Sequence, residues 1–516
     1  MNPPLPRSLF MNARVGRVAP RAPFWGVECG ARGATRTTIH SRFRGSMRKL
    51  AGGILSLFLA TFAYCAGAAQ VTLRSPVRTE PAARATTSSS RQAFLRLAPM
   101  LGHVSSTNAL IWAHASAASR LSIRLSADED LSNGKIIRGP VLEADNGFMG
   151  HVVLSGLAPE TRYYYGVLLD GKPAMLRPYP SFVTAPPEGT SGRVRFAFTS
   201  CVGYHGYDAS PGYADLARTN VDFLLMLGDN VYSNTNDPAI QRRFFFDQRD
   251  SAGWRGLSPG TPIYAIWDDH DFGPDNSDGR MKGKEKSLKT FTELWANPAY
   301  GEPDNPGVYF KFTRRDVDLF MLEGRYHRDP NKATNLTHKT MLGAKQIDWF
   351  KRELAASKAK VKVLVSGGEW QIHGTEDSWR SFQAERNEIF KFIEDQSIQG
   401  VLLLSGDRHF SGAYQVEGKW IEVTVGPLGS SPIVTKNASE MFLNFSETKG
   451  HFYCVYDLDT AATPPQVTLE VYRVGDGQVL RRPFTWDEVN GVTKVKPLPP
   501  SPKPESNAQG KQTREK

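Results

Sequence analysis

Ten side chains with metal-ligating or acid–base chemistry follow directly on four apolar, strand-like runs. The run Ile263 to Trp267 leads into Asp268, Asp269, His270 and Asp271. Four ionisable groups in a row at the end of a core strand are costly to desolvate, and a bound cation is the simplest compensation. A solvated acidic turn is the plain alternative. Val194 to Phe198 ends at Cys201, and Val221 to Leu227 ends at Gly228-Asp-Asn-Val-Tyr232. Gly400 to Leu404 ends at Ser405-Gly-Asp-Arg-His409. Asp229 has two oxygens and can bridge two cations; otherwise it caps the next helix. Asp407 and His409 stand two apart, so an extended segment points both the same way. Cys201, Asp229, Tyr232 and His409 form a donor set with much negative charge, which suits a high-charge transition ion, ferric iron best. Cys201 as a plain buried thiol is the alternative. Asp269, Asp407 and the shared Asp229 offer only oxygen, which suits calcium, magnesium or manganese.

These residues need a sheet to collect them. From residue 193 strand-like runs alternate with helical segments, the texture of α/β layering. In such sheets ligands sit at the carboxyl ends of the strands. Helices are expected at 211–219, 238–253, 287–294, 344–354 and 386–395. Further strands are expected at 317–322, 361–365, 420–425, 452–456 and 467–472, with Cys454 as plain core. Residues 93–187 read as all-β, with Leu121 to Leu125 alternating at period two. Gly156-Leu-Ala-Pro-Glu-Thr-Arg-Tyr-Tyr-Tyr-Gly-Val167 resembles a loop and strand of fibronectin III-like sandwiches, with Tyr163 and Tyr165 on one face and Tyr164 on the other. The Pro- and Gly-rich stretch 184–192 marks the boundary between the two units. The catalytic unit is expected over 193–486, and the Pro- and Lys-rich residues 487–516 read as a disordered tail.

The net charge of +11 misleads, because residues 1–68 carry ten Lys and Arg against one Glu, leaving only +2 for the remainder. No charge argument for nucleic acid survives. Met47-Arg-Lys, the apolar run Leu50 to Tyr64 and Ala66-Gly-Ala68 have the layout of a secretory signal peptide, with a retained anchor as the alternative. Export to the periplasm or beyond, with no stable membrane span after cleavage, is the expectation. Residues 69–92 read as a linker. Of four cysteines only Cys201 and Cys454 lie beyond the leader, so at most one disulfide is possible.

The motifs Phe198-Thr-Ser-Cys201, Gly228 to Tyr232, Trp267 to Asp271, Glu323-Gly-Arg325 and Ser405 to His409 resemble those of the alkaline phosphatase D (PhoD-like) family of calcineurin-like metallophosphoesterases. The resemblance covers roughly residues 93–486. It implies a four-layer αββα core, export, an iron–calcium centre and hydrolysis of phosphate mono- and diesters. It implies Cys201, Asp229, Tyr232 and His409 on iron, and Asp229, Asp269 and Asp407 on the second metal. It places His270 near the phosphate and leaving group, and suggests Asn276 as a further ligand. The chain departs from the family in reading Asp-Phe-Gly-Pro-Asp-Asn before Ser277, and in Glu323 for the usual Asp. After the 361–365 strand, Glu369, Gln371 and His373 all remain open as the counterpart of a family histidine. The implied mechanism is in-line attack by a metal-activated hydroxide, with His270 protonating the leaving oxygen. Arg325 or Arg408 would bind non-bridging oxygens. The competing readings are a cysteine-dependent hydrolase built on Cys201, and an exported binding module without turnover.

Overall fold

Apolar runs four to eight residues long build nearly every strand that positions the site. The computed structural model describes residues 92–203, 208–334, 338–434, 441–444 and 450–496. The expected signal peptide, most of the expected linker and the end of the expected tail lie outside the described residues. All the described residues belong to one compact unit.

The N-terminal part contains β1 (Met100–Val104), β2 (Asn108–His114), β3 (Ser119–Ser126), β4 (Lys135–Leu142), β5 (Met149–Ser155), β6 (Arg162–Leu169), β7 (Lys172–Pro173) and β8 (Ser181–Val183). One sheet has the order β1-β2-β5 and the other β4-β3-β6-β7, with β8 also paired to β6. Ile111, Ile123, Leu154, Tyr165 and Val167 form the core between them.

The second part begins with β9 (Arg193–Thr199), α1 (Ser210–Arg218), β10 (Phe223–Leu227), α2 (Pro238–Arg249), α3 (Ala252–Leu257), β11 (Ile263–Ile266), α4 (Asp269–Phe272) and α5 (Lys284–Leu294). A short ribbon follows, β12 (Gly301–Glu302) with β13 (Asn305–Pro306). Then come β14 (Phe310–Arg314), β15 (Val317–Met321), α6 (Ala344–Ala356), β16 (Val361–Val365), α7 (Gln383–Asp395), β17 (Val401–Ser405), β18 (Gly412–Val416), β19 (Trp420–Thr424) and β20 (Met441–Asn444). The described chain closes with β21 (Phe452–Asp459), β22 (Gln466–Arg473), β23 (Gly477–Phe484) and α8 (Trp486–Val489).

These strands form two large sheets, ordered β11-β10-β9-β21-β22-β23 and β14-β15-β16-β17-β19-β18-β20. Pairing is parallel at β9–β10–β11 and at β15–β16–β17–β19, and antiparallel toward the other edges. The second sheet is buried on both faces, as period-two alternation shows. Leu319, Met321, Val363, Val365, Leu402 and Leu404 join the core that holds the first sheet. Their neighbours Phe320, Leu364 and Leu403 pack instead with Ile347 and Phe350 of α6 and Ile389 of α7.

Two expectations are corrected. The helical stretch 238–253 is two helices, because Ser251 leaves helical geometry and caps α3 through its side chain. The ordered chain does not stop at Trp486. Val489 and Val495 are buried in the main core, and Asn490 accepts the Gly400 N–H at 2.8 Å. The N-terminal part also shares that core through Leu97, Met100, Trp112 and Met149. The joint is tight at Gly102, where a Cβ would lie 2.2 Å from the Ala296 carbonyl oxygen.

Candidate metal centre

Each site residue hangs from the carboxyl end of a parallel strand. Cys201 follows β9, Asp229 follows β10, Asp269 follows β11, and Asp407 to His409 follow β17. The two sheets meet here, since a Cβ on Gly406 would sit 2.7 Å from Ser200 Cβ. Gly228 turns the chain at φ 106, and a Cβ there would lie 2.7 Å from Asp268 Cβ. Cys201 (φ 52), Asp229 (φ 51), Asp407 (φ 69) and His409 (φ 51) all hold left-handed backbone. Such residues cost about 1–3 kcal/mol each and cluster at functional sites.

The acidic run divides its labour. Asp271 takes the backbone N–H groups of Asn230 (3.1 Å), Val231 (2.9 Å) and Asp268 (3.2 Å), tying the β10 loop to the β11 loop. Asp268 pairs with Arg325 Nε. Asp269 enters the metal cluster. His270 points its Nδ1 at Asn234 Oδ1, 2.5 Å away.

Three groups each bring ligand atoms within 4.8 Å of one another: Cys201, Asp229 and His409; Asp229, Asp269 and His270; and Asp268, Asp269 and Asp407. Asp229 and Asp269 each belong to two groups, the arrangement a bridging carboxylate needs. Tyr232 Oη lies 3.3 Å from Asp229 Oδ2 and 2.6 Å from His409 Nε2. His409 Nδ1 lies 2.9 Å from the Ser431 carbonyl oxygen, which fixes the ring. Burial and the neighbouring Asp229 push the Cys201 thiol well up. Burial, then the carboxylates Asp269, Asp268, Asp271 and Asp407, push Asp229 well up, and burial followed by Asp268 does the same to Asp407. Burial raises Tyr232 and lowers His409. Burial among protein atoms alone therefore disfavours the charged forms of these groups, and a nearby cation favours the anionic ones. Buried oxygens Asp229 Oδ1, Asp268 Oδ2 and Asp269 Oδ1 have no hydrogen-bond partner. The residues present thus fit bound metal.

A cavity of about 660 Å³ opens over this cluster, lined among others by Asp269, His270, Asn276, Asp377, Asp407 and Arg408. Arg408 Nε lies 3.5 Å from Glu369 Oε2, and its Nη1 has no partner. Arg325 does not serve as a substrate contact. It is fully buried, and its guanidinium is spent on Asp268, Asp377, the Ser277 carbonyl and, at 3.6 Å, Asp269. It holds carboxylates in place. Asn276 turns its carboxamide to Asp275 (2.6 Å), while its backbone N–H reaches Asp269 Oδ2 (2.6 Å). It meets the site through its backbone and lines the cavity. Of the three open candidates, Glu369 touches Arg408, whereas Gln371 and His373 line a different cavity. Glu323 accepts from Trp267 Nε1 at 2.8 Å and buttresses the β11 loop. Cys201 and Cys454 are both free thiols.

Sequence reasoning missed Asp377 and Asn234. Asp377 sits in an irregular segment 12 residues beyond β16 (377 minus 365), and no strand-end pattern marks it. Asn234 stands only two residues beyond Tyr232, at φ 52, close enough to the β10 motif to have been considered.

Residues 196–454 match the family model described as PhoD-like phosphatase, and residues 92–187 match a domain family of unknown function, DUF7800. Alkaline phosphatase D of Bacillus subtilis (strain 168) is 27% identical over 318 residues, 51% of this chain and 53% of that protein. The chain therefore spans about half the length of that relative. Purple acid phosphatase 23 of Arabidopsis thaliana is 24% identical over 342 residues, 62% of this chain and 69% of the relative. A solved structure of PhoD superposes with a TM-score of 0.62 at 18% identity, covering 77% of this chain and 93% of that one. The purple acid phosphatase PPD1 of yellow lupin (Lupinus luteus) gives 0.56 at 13% identity, covering 74% and 73%. Both share the mixed α/β fold.

Proposed function

Because the chain belongs to the PhoD-like phosphatase family, we propose that it is an exported metal-dependent phosphatase acting on phosphate monoesters, diesters or both. One observation carries the reading: three buried carboxylate oxygens without hydrogen-bond partners gather near a thiol and an imidazole at the ends of parallel strands. Cys201, Asp229, Tyr232 and His409 would hold ferric iron, and Asp229, Asp269 and Asp407 a hard ion such as calcium, with magnesium or manganese suited to the same oxygens. Bound there, the ions supply the charge that polarises a phosphoryl group and makes water nucleophilic near neutral pH. The chain's own residues do the rest. Arg408, with Nη1 unpartnered, would bind a non-bridging phosphoryl oxygen. His270, oriented by Asn234, would deliver a proton to the leaving oxygen.

A cysteine nucleophile fits less well. Cys201 is fully buried beside Ser200 and Asp229, and the imidazole near it, His409, has both ring nitrogens engaged, with Tyr232 Oη and the Ser431 carbonyl. The order β1-β2-β5 facing β4-β3-β6 supports a fibronectin III-like reading of residues 93–187. The alternating faces of the 15-16-17 strands support the four-layer αββα reading of the rest. Export rests on the leader's layout; among the described residues no helix is long and apolar enough to cross a membrane.

The test is release of p-nitrophenol from its mono- and bis-phosphate esters, by protein starting near Ala69 and purified without chelator. Loss of hydrolysis with EDTA and its return with iron and calcium is the expected result. Hydrolysis that persists in protein shown by elemental analysis to be metal-free overturns the reading.

A further inference from the structure

Arg249, the last residue of α2, is fully buried. Among the described residues no carboxylate lies within ion-pair distance of it. Its guanidinium carbon stands 4.8 Å from the ring centre of Trp112, 5.4 Å from Phe245, 5.3 Å from Trp254 and 4.6 Å from Trp295. Burial lowers its pKa to about 9, so the group is still charged at neutral pH. Ring faces attract a cation through its flat sides, but they leave its in-plane N–H groups unsatisfied. Nη1 donates to the Leu294 carbonyl at 2.8 Å, while Nε and Nη2 have no partner.

That edge is the one this protein uses elsewhere to grip anions. Arg280 holds the two oxygens of Asp278 through Nε (2.9 Å) and Nη2 (2.8 Å), and Arg193 holds Asp457 through the same two nitrogens. In Arg249 the fork is buried and open. Its surroundings add further donors, because Trp254 Nε1, Trp295 Nε1 and Tyr213 Oη are buried without partners as well. Tyr213 packs edge-on against Trp254 (4.9 Å between ring centres), and Trp254 against Trp295 (6.2 Å). A water in the fork needs acceptors for its own hydrogens, and the partnerless neighbours that can accept are Tyr213 Oη, His151 Nε2 and His114 Nδ1. A halide needs none and accepts from each donor that reaches it.

We propose that Arg249, with the indole N–H groups of Trp254 and Trp295 and the hydroxyl of Tyr213, forms a buried site for a small monovalent anion of chloride size. The site lies at the joint between the two parts of the molecule. Trp112 comes from β2 of the N-terminal sheets, and α2 and α3 belong to the second part. Gln248, the neighbour of Arg249, donates to the Asn230 carbonyl in the loop that carries Asp229 and Tyr232. The anion therefore completes a structural clamp one residue removed from the metal loop.

The full chain, loaded with metal and crystallised from bromide, tests this. An anomalous bromide peak within hydrogen-bonding reach of Arg249 Nε and Nη2 is expected. In solution, Tm should rise by about 2–4 °C in sodium chloride or bromide over sodium gluconate of equal ionic strength, saturating as one site. Arg249→Leu should abolish that shift. Trp254→Phe, which deletes one N–H and keeps a ring face, should reduce it if the first variant does not fold. Bromide found only on the surface, a water in the fork, or equal Tm in all three salts would overturn the proposal.

Discussion

Replacing Arg325 with Met removes a buried cation shared by three aspartates from two segments. Arg325, Asp268 and Asp377 have side-chain exposures of 0%, 4% and 7%, and Asp269 lies 3.6 Å from the same guanidinium. Deleting one partner of a buried network strands the others, at a cost of about 3–5 kcal/mol. A fall in Tm of about 4–6 °C follows for a unit of this size. The pH dependence has a sign. Burial pushes Asp377 up, but Arg325 and Arg328 outweigh it and hold the carboxyl below its usual range. Its stabilising contribution is therefore present above the unfolded pKa and is lost as pH falls through the lower folded value. Asp268 is the opposite case, with burial outweighing Arg325 and raising it to about 6. Its ionisation costs stability as pH rises from the unfolded value toward 6, and without Arg325 that cost extends to higher pH. The gap between the native chain and Arg325→Met should be widest near neutrality and should close below about pH 4. Guanidinium denaturation of the metal-loaded proteins across that range measures it. Adding Asp377→Asn to Arg325→Met should recover part of the loss, because it discharges one stranded carboxylate. A variant with native stability and metal content but a large fall in kcat/KM would refute the reasoning and return Arg325 to the substrate.

Asp229→Asn should lose metal by elemental analysis and lower hydrolysis by more than about a hundredfold, since this carboxylate joins two of the ligand groups. Arg408→Ala should lower kcat/KM by about 10²–10³ with metal content unchanged, if its unpartnered Nη1 meets the phosphoryl group. Glu422 is fully buried and its carboxyl is raised from 4.5 to about 7, by burial first and then by Glu369. The folded state therefore holds a proton that the unfolded chain has lost, and stability should fall by about 3 kcal/mol as pH rises from 4.5 to 7. Glu422→Gln should flatten that part of the stability–pH curve, measured by denaturation at fixed metal.

What could be read without coordinates was set by range along the chain. A buried parallel strand is a short apolar run, and the polar residue that ends it sits one to four positions on. Cys201, Asp229, Asp269, Asp407 and His409 are all found that way, because β9, β10, β11 and β17 are nearly continuous apolar stretches. Strands β14 (Phe-Lys-Phe-Thr-Arg) and β18 (Gly-Ala-Tyr-Gln-Val) mix polar residues into five positions and give no comparable signal. Asp377 was invisible for another reason, since it meets Arg325 across 52 positions and only the folded chain brings them together. The same limit explains the role given to Arg325. An arginine after a strand near a phosphate site reads as a substrate clamp, because sequence shows its charge but not where that charge is spent. Spacing likewise showed four ionisable groups after β11 but not their separate tasks. Asp271 accepts from backbone, Asp268 binds arginine and borders the metal cluster, Asp269 joins that cluster, and His270 borders it and faces the cavity. The cost of burying such a run is thus met by four different partners, and a cation is needed for only part of it. Where the pairing is local, as between Asp271 and the loop it ties, the burial is compensated by hydrogen bonds alone. Where no hydrogen-bond partner is present, as at Asp229 Oδ1, a bound ion is the compensation the donor set fits.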